Sequence, residues 1–464
     1  MLTALVPIVP FWASHAAITR PELADVLSGT SERFHSVAAE PTHATALAAS
    51  LGVSLRSDLV TGDGAAVLVA VREGQVTLGL VAAQDVGPEV RALEVDGRSL
   101  FGNGRLRDLG AWPLLVPALS ADGQAFDPAR TWTLVAGGDV MLDRTIYRVT
   151  QVEGRGADYP WDGGTAEITS RVCCNVLNER LPVARRTGNA GALRALFRDA
   201  DLAMVNLEGP APDSFTHHPH GLVFSFDPAL LQGLANAGID YASLGNNHIG
   251  NAGRQGVIDT IRHLDALGIE HAGAGADLAE ARDPAWFEVE GIRVAVLAYD
   301  GVAPWDNATD DRAGNADLRR AYYGPDIAAA RTAGADLVIV WPHWGAEYRA
   351  TPTPGQRRHA AQLIASGADM VIGNHAHWAS AMEEIEDRLV FYALGNLIFD
   401  LTRSEETLES IVPELTFQGA RLVQVRLHPT LVVDLVQPNL LDPSGDGRVV
   451  LDQVREASRG LLPW

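Results

Sequence analysis

Two histidines one residue apart, His375 and His377, follow the apolar run Met370–Ile372 and the dipeptide Gly373-Asn374. On an extended backbone, residues i and i+2 face the same side. The two imidazoles are therefore expected to converge just past a strand end, where open α/β sheets keep their ligands. Imidazole is the commonest protein ligand for a transition metal. Other apolar runs in the chain end in the same vocabulary. Thr133–Ala136 leads to Gly137-Gly138-Asp139 and on to Asp143-Arg144, and Leu202–Val205 leads to Asn206-Leu207-Glu208. Tyr241–Leu244 leads to Gly245-Asn246-Asn247-His248, and Leu337–Trp341 leads to Pro342-His343-Trp344. Carboxylates, an amide and imidazoles at five exits suit one or two borderline divalent cations. A bridging carboxylate can hold two such ions close together, where they generate hydroxide and stabilise charge on the attacked group. Turn and cap preferences alone account for Gly138, Asn206, Asn246 and Asn251. They do not account for His248, His343, His375 and His377 all arriving at exits.

Positioning those residues requires strands that alternate with helices. Further apolar runs fall at Val294–Ala298 and Val390–Leu394, and helical stretches at Pro228–Ala237, Arg254–Leu267 and Gln356–Ser366. The alternation predicts an α/β domain over about residues 131–402, with helices covering the faces of its sheet, and strands completing it over 403–464. Residues 1–125 read as a smaller α/β domain. In it, Ile18–Thr30 carries a helix start and a glycine stop, and Val67–Val71 and Val76–Val81 read as a hairpin. The pattern there is similar to half of a periplasmic solute-binding domain of the phosphate-binding type. Ser120–Arg130, polar and containing Pro128, reads as a linker. Tyr147–Asn189 has no clear period and reads as a long insertion over the functional rim. His217-His218-Pro219-His220 reads as a mobile surface cluster rather than a metal site. Trp344 and Trp378 flank the histidine motifs as packing residues or a substrate wall. Glu347 and Tyr348 read as orienters of a histidine or as helix-start residues.

The composition excludes several classes. With 58 acidic against 36 basic residues the net charge is −22, which argues against a nucleic-acid groove. An anionic substrate would be repelled at long range unless cations or arginines reverse the local field. The only cysteines, Cys173 and Cys174, are adjacent, a spacing that opposes ordinary disulfide geometry. No apolar run is long enough to span a membrane. The first twelve residues lack a basic start and make a poor signal peptide. A mature extracytoplasmic or cell-envelope location is expected, without excluding the cytoplasm.

Six ordered motifs carry a resemblance. Gly138-Asp-Val-Met-Leu-Asp-Arg144, Asn206-Leu-Glu208, Gly245-Asn-Asn-His248, His343-Trp-Gly-Ala-Glu-Tyr348, Gly373-Asn-His-Ala-His377 and Tyr392-Ala-Leu-Gly-Asn-Leu-Ile-Phe-Asp400 resemble the CapA family. These are capsule or poly-γ-glutamate synthesis proteins of the calcineurin-like metallophosphoesterase superfamily. The resemblance implies a four-layer α/β/β/α sandwich holding one or two divalent ions (Zn, Mn or Fe). It places Asp139 and His377 on one ion and Asn247, His343 and His375 on the other, with Glu208 between them. His248 becomes a general acid or a clamp on the substrate oxyanion. The superfamily usually has histidine where Met141 stands and aspartate where Glu208 stands. The first position is therefore a ligand short, and is left weak, empty or completed by Asp143. Arg144 is an anion contact or half of a salt bridge. The implied activity is metal-dependent hydrolysis, through metal-bound hydroxide, of a γ-glutamyl amide or phosphoester in a polyanionic polymer or peptide. The alternatives are peptide epimerisation and a non-catalytic role with cell-envelope assembly partners.

Overall fold

The computed structural model describes residues 2–117 and 126–464, so residues 120–125 of the expected linker lie outside the described residues. The chain separates into two compact units. The smaller comprises residues 1–133 with 414–426 and Trp464; the larger comprises 134–413 and 427–463. The stretch 403–464, expected to belong wholly to the sandwich, is divided between them.

The smaller unit holds a mixed sheet. Its strands run in the order Val60–Thr61, Val37–Ala39, Leu78–Ala82, Leu2–Pro10 and Val90–Ala92, and Leu115–Pro117 also pairs with Leu2–Pro10. Helix Arg20–Ser28 forms as read from sequence. Thr19 and Glu22 close a capping box, and Gly29 ends the helix with φ +82°. The hairpin expected over Val67–Val81 is absent. Gly64–Arg72 is a helix capped by Asp63 that buries Val67, Ala70 and Val71, and Leu78–Ala82 is the strand that follows. Val-rich composition favours strand only weakly, and a capped segment with one packed face overrides it.

The larger unit contains a ten-stranded and a six-stranded sheet. In the first, Thr131–Val140, Leu202–Leu207, Tyr241–Ser243 and Glu270–Ala272 lie parallel in that order. In the second, Ile292–Asp300, Leu337–His343, Met370–Ile372 and Arg388–Phe391 do the same. Alternate residues of each strand face opposite ways. Val135, Ala203, Val205 and Ala242 share a core with Leu193, Leu234 and Leu264 of the covering helices, while Val338, Val340 and Val371 share another with Ile327, Ala360 and Leu363. The other faces are buried as well. Tyr241 of the first sheet reaches Trp341 and Phe287 of the second, with ring centroids 5.8 and 6.3 Å apart. The layers therefore stack helix, sheet, sheet, helix, as expected. Tyr147–Asn189 is more regular than its sequence suggests. It includes the antiparallel pair Thr165–Cys173 and Arg180–Gly188, and Cys173 is bonded to Cys174.

The strand register aligns polar residues in two rows. Asn396, Asp139, Asn206 and Ser243 lie abreast in the first sheet, and Asp300, His343 and Asn374 in the second. Opposite Met204–Asn206 the neighbouring strand spends an extra residue between Ala136 and Asp139, a bulge formed at Gly137-Gly138. Bulges re-aim a side chain, and this one turns Asp139 toward the second sheet. Only glycine fits at 138, because a Cβ there would overlap the Gly395 carbonyl oxygen. Gly138→Ala should lower unfolding stability by about 1–3 kcal/mol, the usual range for overpacking, as measured by urea denaturation. An unchanged midpoint would contradict the close approach.

Candidate metal centre

Where the two polar rows meet, Asp139, Glu208 and His343 each offer a ligand atom, and these atoms lie within 4.8 Å of one another. Glu208 Oε1 stands 3.8 Å from His248 Nε2, 3.9 Å from His343 Nε2 and 3.8 Å from His377 Nε2. These separations exceed hydrogen-bond length but leave room for a cation between the atoms. Glu208 is 0% exposed, yet neither of its carboxylate oxygens has a hydrogen-bond partner. Asp139 Oδ2, 3.2 Å from His377 Nδ1 without bonding geometry, and Asn247 Oδ1 are also buried without one. Unsatisfied buried oxygens are rare because each forfeits its hydration. Four of them on three of the expected ligands fit a divalent ion.

Amide side chains fix the orientation of these groups. Asn206 and Asn374 each donate from Nδ2 to Asp139 Oδ1 at 2.8 Å. Asn374 is held in turn by Trp341 Nε1, and Asn206 accepts from Asn246. His377 Nδ1 lies 2.9 Å from Asn396 Oδ1, whose amide nitrogen donates to the Thr407 carbonyl. That donation fixes which end of Asn396 is the acceptor, so His377 Nδ1 carries the proton and Nε2 faces Glu208. The same logic applies to His248. Asn251 Oδ1 accepts from the Phe224 backbone N–H and lies 3.0 Å from His248 Nδ1, leaving Nε2 directed at Glu208. His343 Nε2 and His375 Nδ1 are 3.2 Å apart.

The His-x-His segment converges by a different route from the one expected. His375 and His377 have φ of +88° and +56°, so the pair sits on a tight left-handed turn rather than an extended strand end. Such backbone costs about 1–3 kcal/mol per residue and concentrates at functional sites.

Burial and mutual charge set the protonation of the cluster. Burial, then the neighbouring Asp139, raises Glu208 well above the ordinary carboxyl range. Burial, then His375, holds His343 far below the ordinary imidazole value, and burial, then His377, takes His375 down to about 3. Burial also lowers His248 to about 4. For His377 burial works against the charge, but Glu208 and Asp139 outweigh it and lift the ring to about 9.

Asp143 and Arg144 stand apart from this cluster. Asp143 is fully buried and accepts from the backbone N–H groups of Arg144, His218 and Ser225 and from His218 Nδ1 at 2.8 Å. It anchors the loop that was expected to be a mobile histidine cluster, and His217 Nε2 meets the Arg144 carbonyl at 3.2 Å. The expectation that Asp143 completes the first ion position is therefore corrected: backbone and imidazole donors already surround both its oxygens. Arg144 is the salt-bridge half of its two readings, 2.8 Å from Asp400, with its guanidinium over Phe224 and Phe399. The anchored loop lays Phe224 on His248, with ring centroids 4.1 Å apart. Trp344 is buried and donates to the Tyr392 carbonyl, a packing role. Tyr348 stacks beside His377. Sequence alone reads Asn206 and Asn251 as turn residues and assigns Asn374 and Asn396 no role. The usable signal was the recurrence of Gly-Asn after successive strands.

The shifts make a signed prediction. Glu208 and His377 both bind protons in the folded metal-free chain at pH values where the unfolded chain has released them. Stability then falls as pH rises. The three depressed histidines act in the opposite sense, but only below their ordinary value of 6.5. Between that value and about 9, chelator-treated protein should therefore lose stability with rising pH. Glu208→Gln should flatten the slope and stabilise the metal-free chain by about 1–3 kcal/mol, while removing the stabilisation that added Mn²⁺ gives the parent. Calorimetry across that range checks this, and parallel slopes for both proteins would refute it.

Comparison with known proteins follows the same segment of chain. The sequence profile of a family described as "Bacterial capsule synthesis protein PGA_cap" matches residues 133–401. Capsule biosynthesis protein CapA of Bacillus anthracis is 28% identical over 286 residues, covering 57% of this chain and 66% of that one. This chain thus spans just under two thirds of that relative's length. A probable polyglutamine synthesis accessory protein of Mycobacterium tuberculosis is 30% identical over 285 residues, covering 58% of this chain and 74% of the relative. Among solved structures, a calcineurin-like phosphoesterase of Bacillus subtilis aligns with 13% identity and a TM-score of 0.34, over 71% of this chain and 97% of that one. With more than half its length matched, this chain belongs to the bacterial capsule synthesis protein family, PGA_cap.

Proposed function

We propose that this protein is a divalent-cation-dependent hydrolase that cleaves a γ-glutamyl amide in an anionic cell-envelope polymer or peptide. The observation that supports this most directly is Glu208, buried without a partner and ringed by three imidazole nitrogens at 3.8–3.9 Å. Asp139, Glu208, Asn247, His343, His375 and His377 would hold one or two ions, of zinc, manganese or iron. A divalent ion supplies Lewis acidity toward the attacked carbonyl and acidifies water.

The remaining work falls to the chain. His248, with Nδ1 committed to Asn251, presents an Nε2 lone pair to the centre. It takes a proton from the attacking water and returns it to the leaving amine. Phe224, stacked on His248, and Phe399, edge-on to His377, both under the Arg144 guanidinium, exclude bulk water from that transfer. Asn206 and Asn374 hold Asp139 in one orientation throughout. Amide cleavage is preferred over phosphoester cleavage because Met141 stands where a further imidazole would complete a second ion. An amide presents less charge for two ions to neutralise. The family relatives named for capsule and polyglutamine synthesis supply the polymer context. The word "accessory" in one of those names favours, as a second reading, a non-catalytic assembly role.

The test incubates the full chain, with Mn²⁺ or Zn²⁺, with poly-γ-glutamate, and in parallel with a chromogenic phosphodiester. New amino termini should appear, vanish with chelator, and fall about 100-fold or more in His248→Ala. Elemental analysis should show bound metal in the parent and its loss in His343→Ala and Glu208→Ala. Metal retained in both variants would refute the ligand set. Metal bound without cleavage would favour the assembly role, and solvent deuterium entering Cα without chain scission would favour epimerisation.

A further inference from the structure

Tyr348, four residues beyond the buried Trp344, has φ +60° and donates its backbone N–H to the Ala376 carbonyl at 2.8 Å. This ties it to the middle of the His-x-His turn. Its ring lies beside His377 at 30° with centroids 6.0 Å apart. Over the ring sits the guanidinium of Arg403, 4.2 Å from the centroid. Arg403 is exposed and forms an ion pair with no carboxylate among the described residues. The two other arginines that reach the same loop are answered within it, Arg144 by Asp400 and Arg171 by Glu405. Glu347, which borders the same phenol, makes no ion pair with Arg403. Nor is the loop loose. The Thr402 and Arg403 carbonyls both accept from the Asn175 side chain, whose oxygen takes the Leu177 and Glu179 N–H groups at 2.9 Å.

We propose that Arg403, seated over the Tyr348 ring, is the anion-binding residue beside the metal centre. It pairs with an oxyanion group of the substrate one residue away from the bond presented to Glu208 and His248. A guanidinium with its face on an aromatic ring keeps its N–H fork free for two-point contact with a carboxylate or a phosphate. A cation without a carboxylate partner beside the site also answers the long-range repulsion that a net charge of −22 imposes on an anionic ligand. The proposal rests on the hydrolase reading for its substrate, but not for its test.

The test titrates Mn²⁺-loaded full chain with a γ-glutamyl tripeptide and, separately, with inorganic phosphate, by calorimetry at low and high salt. Arg403→Gln should weaken the preferred anion by about tenfold or more. Arg403→Lys should recover only part of the loss, because an ammonium lacks the fork. Tyr348→Leu should weaken binding less than Arg403→Gln does. Metal content, measured on each sample, should stay at the parent level in Arg403→Gln. Tighter binding of the tripeptide identifies a substrate carboxylate, and tighter binding of phosphate identifies a phosphoryl group. If the parent binds neither anion, or Arg403→Gln binds as well as the parent, the assignment is overturned. The metal reading is judged separately by metal content.

Discussion

A carboxylate without a partner, enclosed by protein on every side, is among the least tolerable arrangements a fold can contain, and Glu208 is one. Transfer of an ionised carboxyl out of water is expensive unless an opposite charge travels with it. Around Glu208 no N–H of the described residues comes close enough to serve. The three imidazole nitrogens stop at 3.8–3.9 Å, and the nearest other acid, Asp139, adds repulsion. A cation among these groups would suit the arrangement. Much of the larger unit serves to hold them together. The glycine bulge aims Asp139, the strand register brings Asn206 and Asn396 beside it, and the second sheet delivers His343 and Asn374 opposite.

The same demand explains the local strain. His375 and His377 lie in left-handed backbone, which non-glycine residues adopt rarely. A relaxed extended segment would point both rings the same way, and the site needs them to approach Glu208 and His343 separately. Residues on either side are tightly held: a Cβ at Gly373 would overlap the Trp344 indole nitrogen, and Trp344 itself is buried. The turn is thus over-determined by packing, the condition under which strained backbone persists.

Much of this arrangement was legible in the chain before any coordinates. Strands alternating with helices gave an α/β domain, histidines clustered at strand exits gave the imidazoles of the centre, and the family resemblance implied the sandwich. Distances between exits were not legible, nor was the division of labour among carboxylates. Asp139 and Asp143 are four residues apart and chemically identical, yet one faces the centre and the other anchors a loop. Only tertiary packing of the His218 and Ser225 segment decides between them. Asn206 and Asn251 were discounted because their residue type suits turns for backbone reasons alone. Helix Gly64–Arg72 was missed because a short valine-rich run is ambiguous without its cap.

The amide clamp on Asp139 bears on which ion can settle there. With Oδ1 already holding two N–H donors, only Oδ2 is left to coordinate, so that carboxylate can ligate through one oxygen alone. Calcium favours a large shell of six to eight oxygens with carboxylates often gripping through both. Asp139 thus offers any ion one hard oxygen, while Glu208 keeps both of its own. Neutral amides thereby decide, before any ion arrives, how many oxygens Asp139 can offer one.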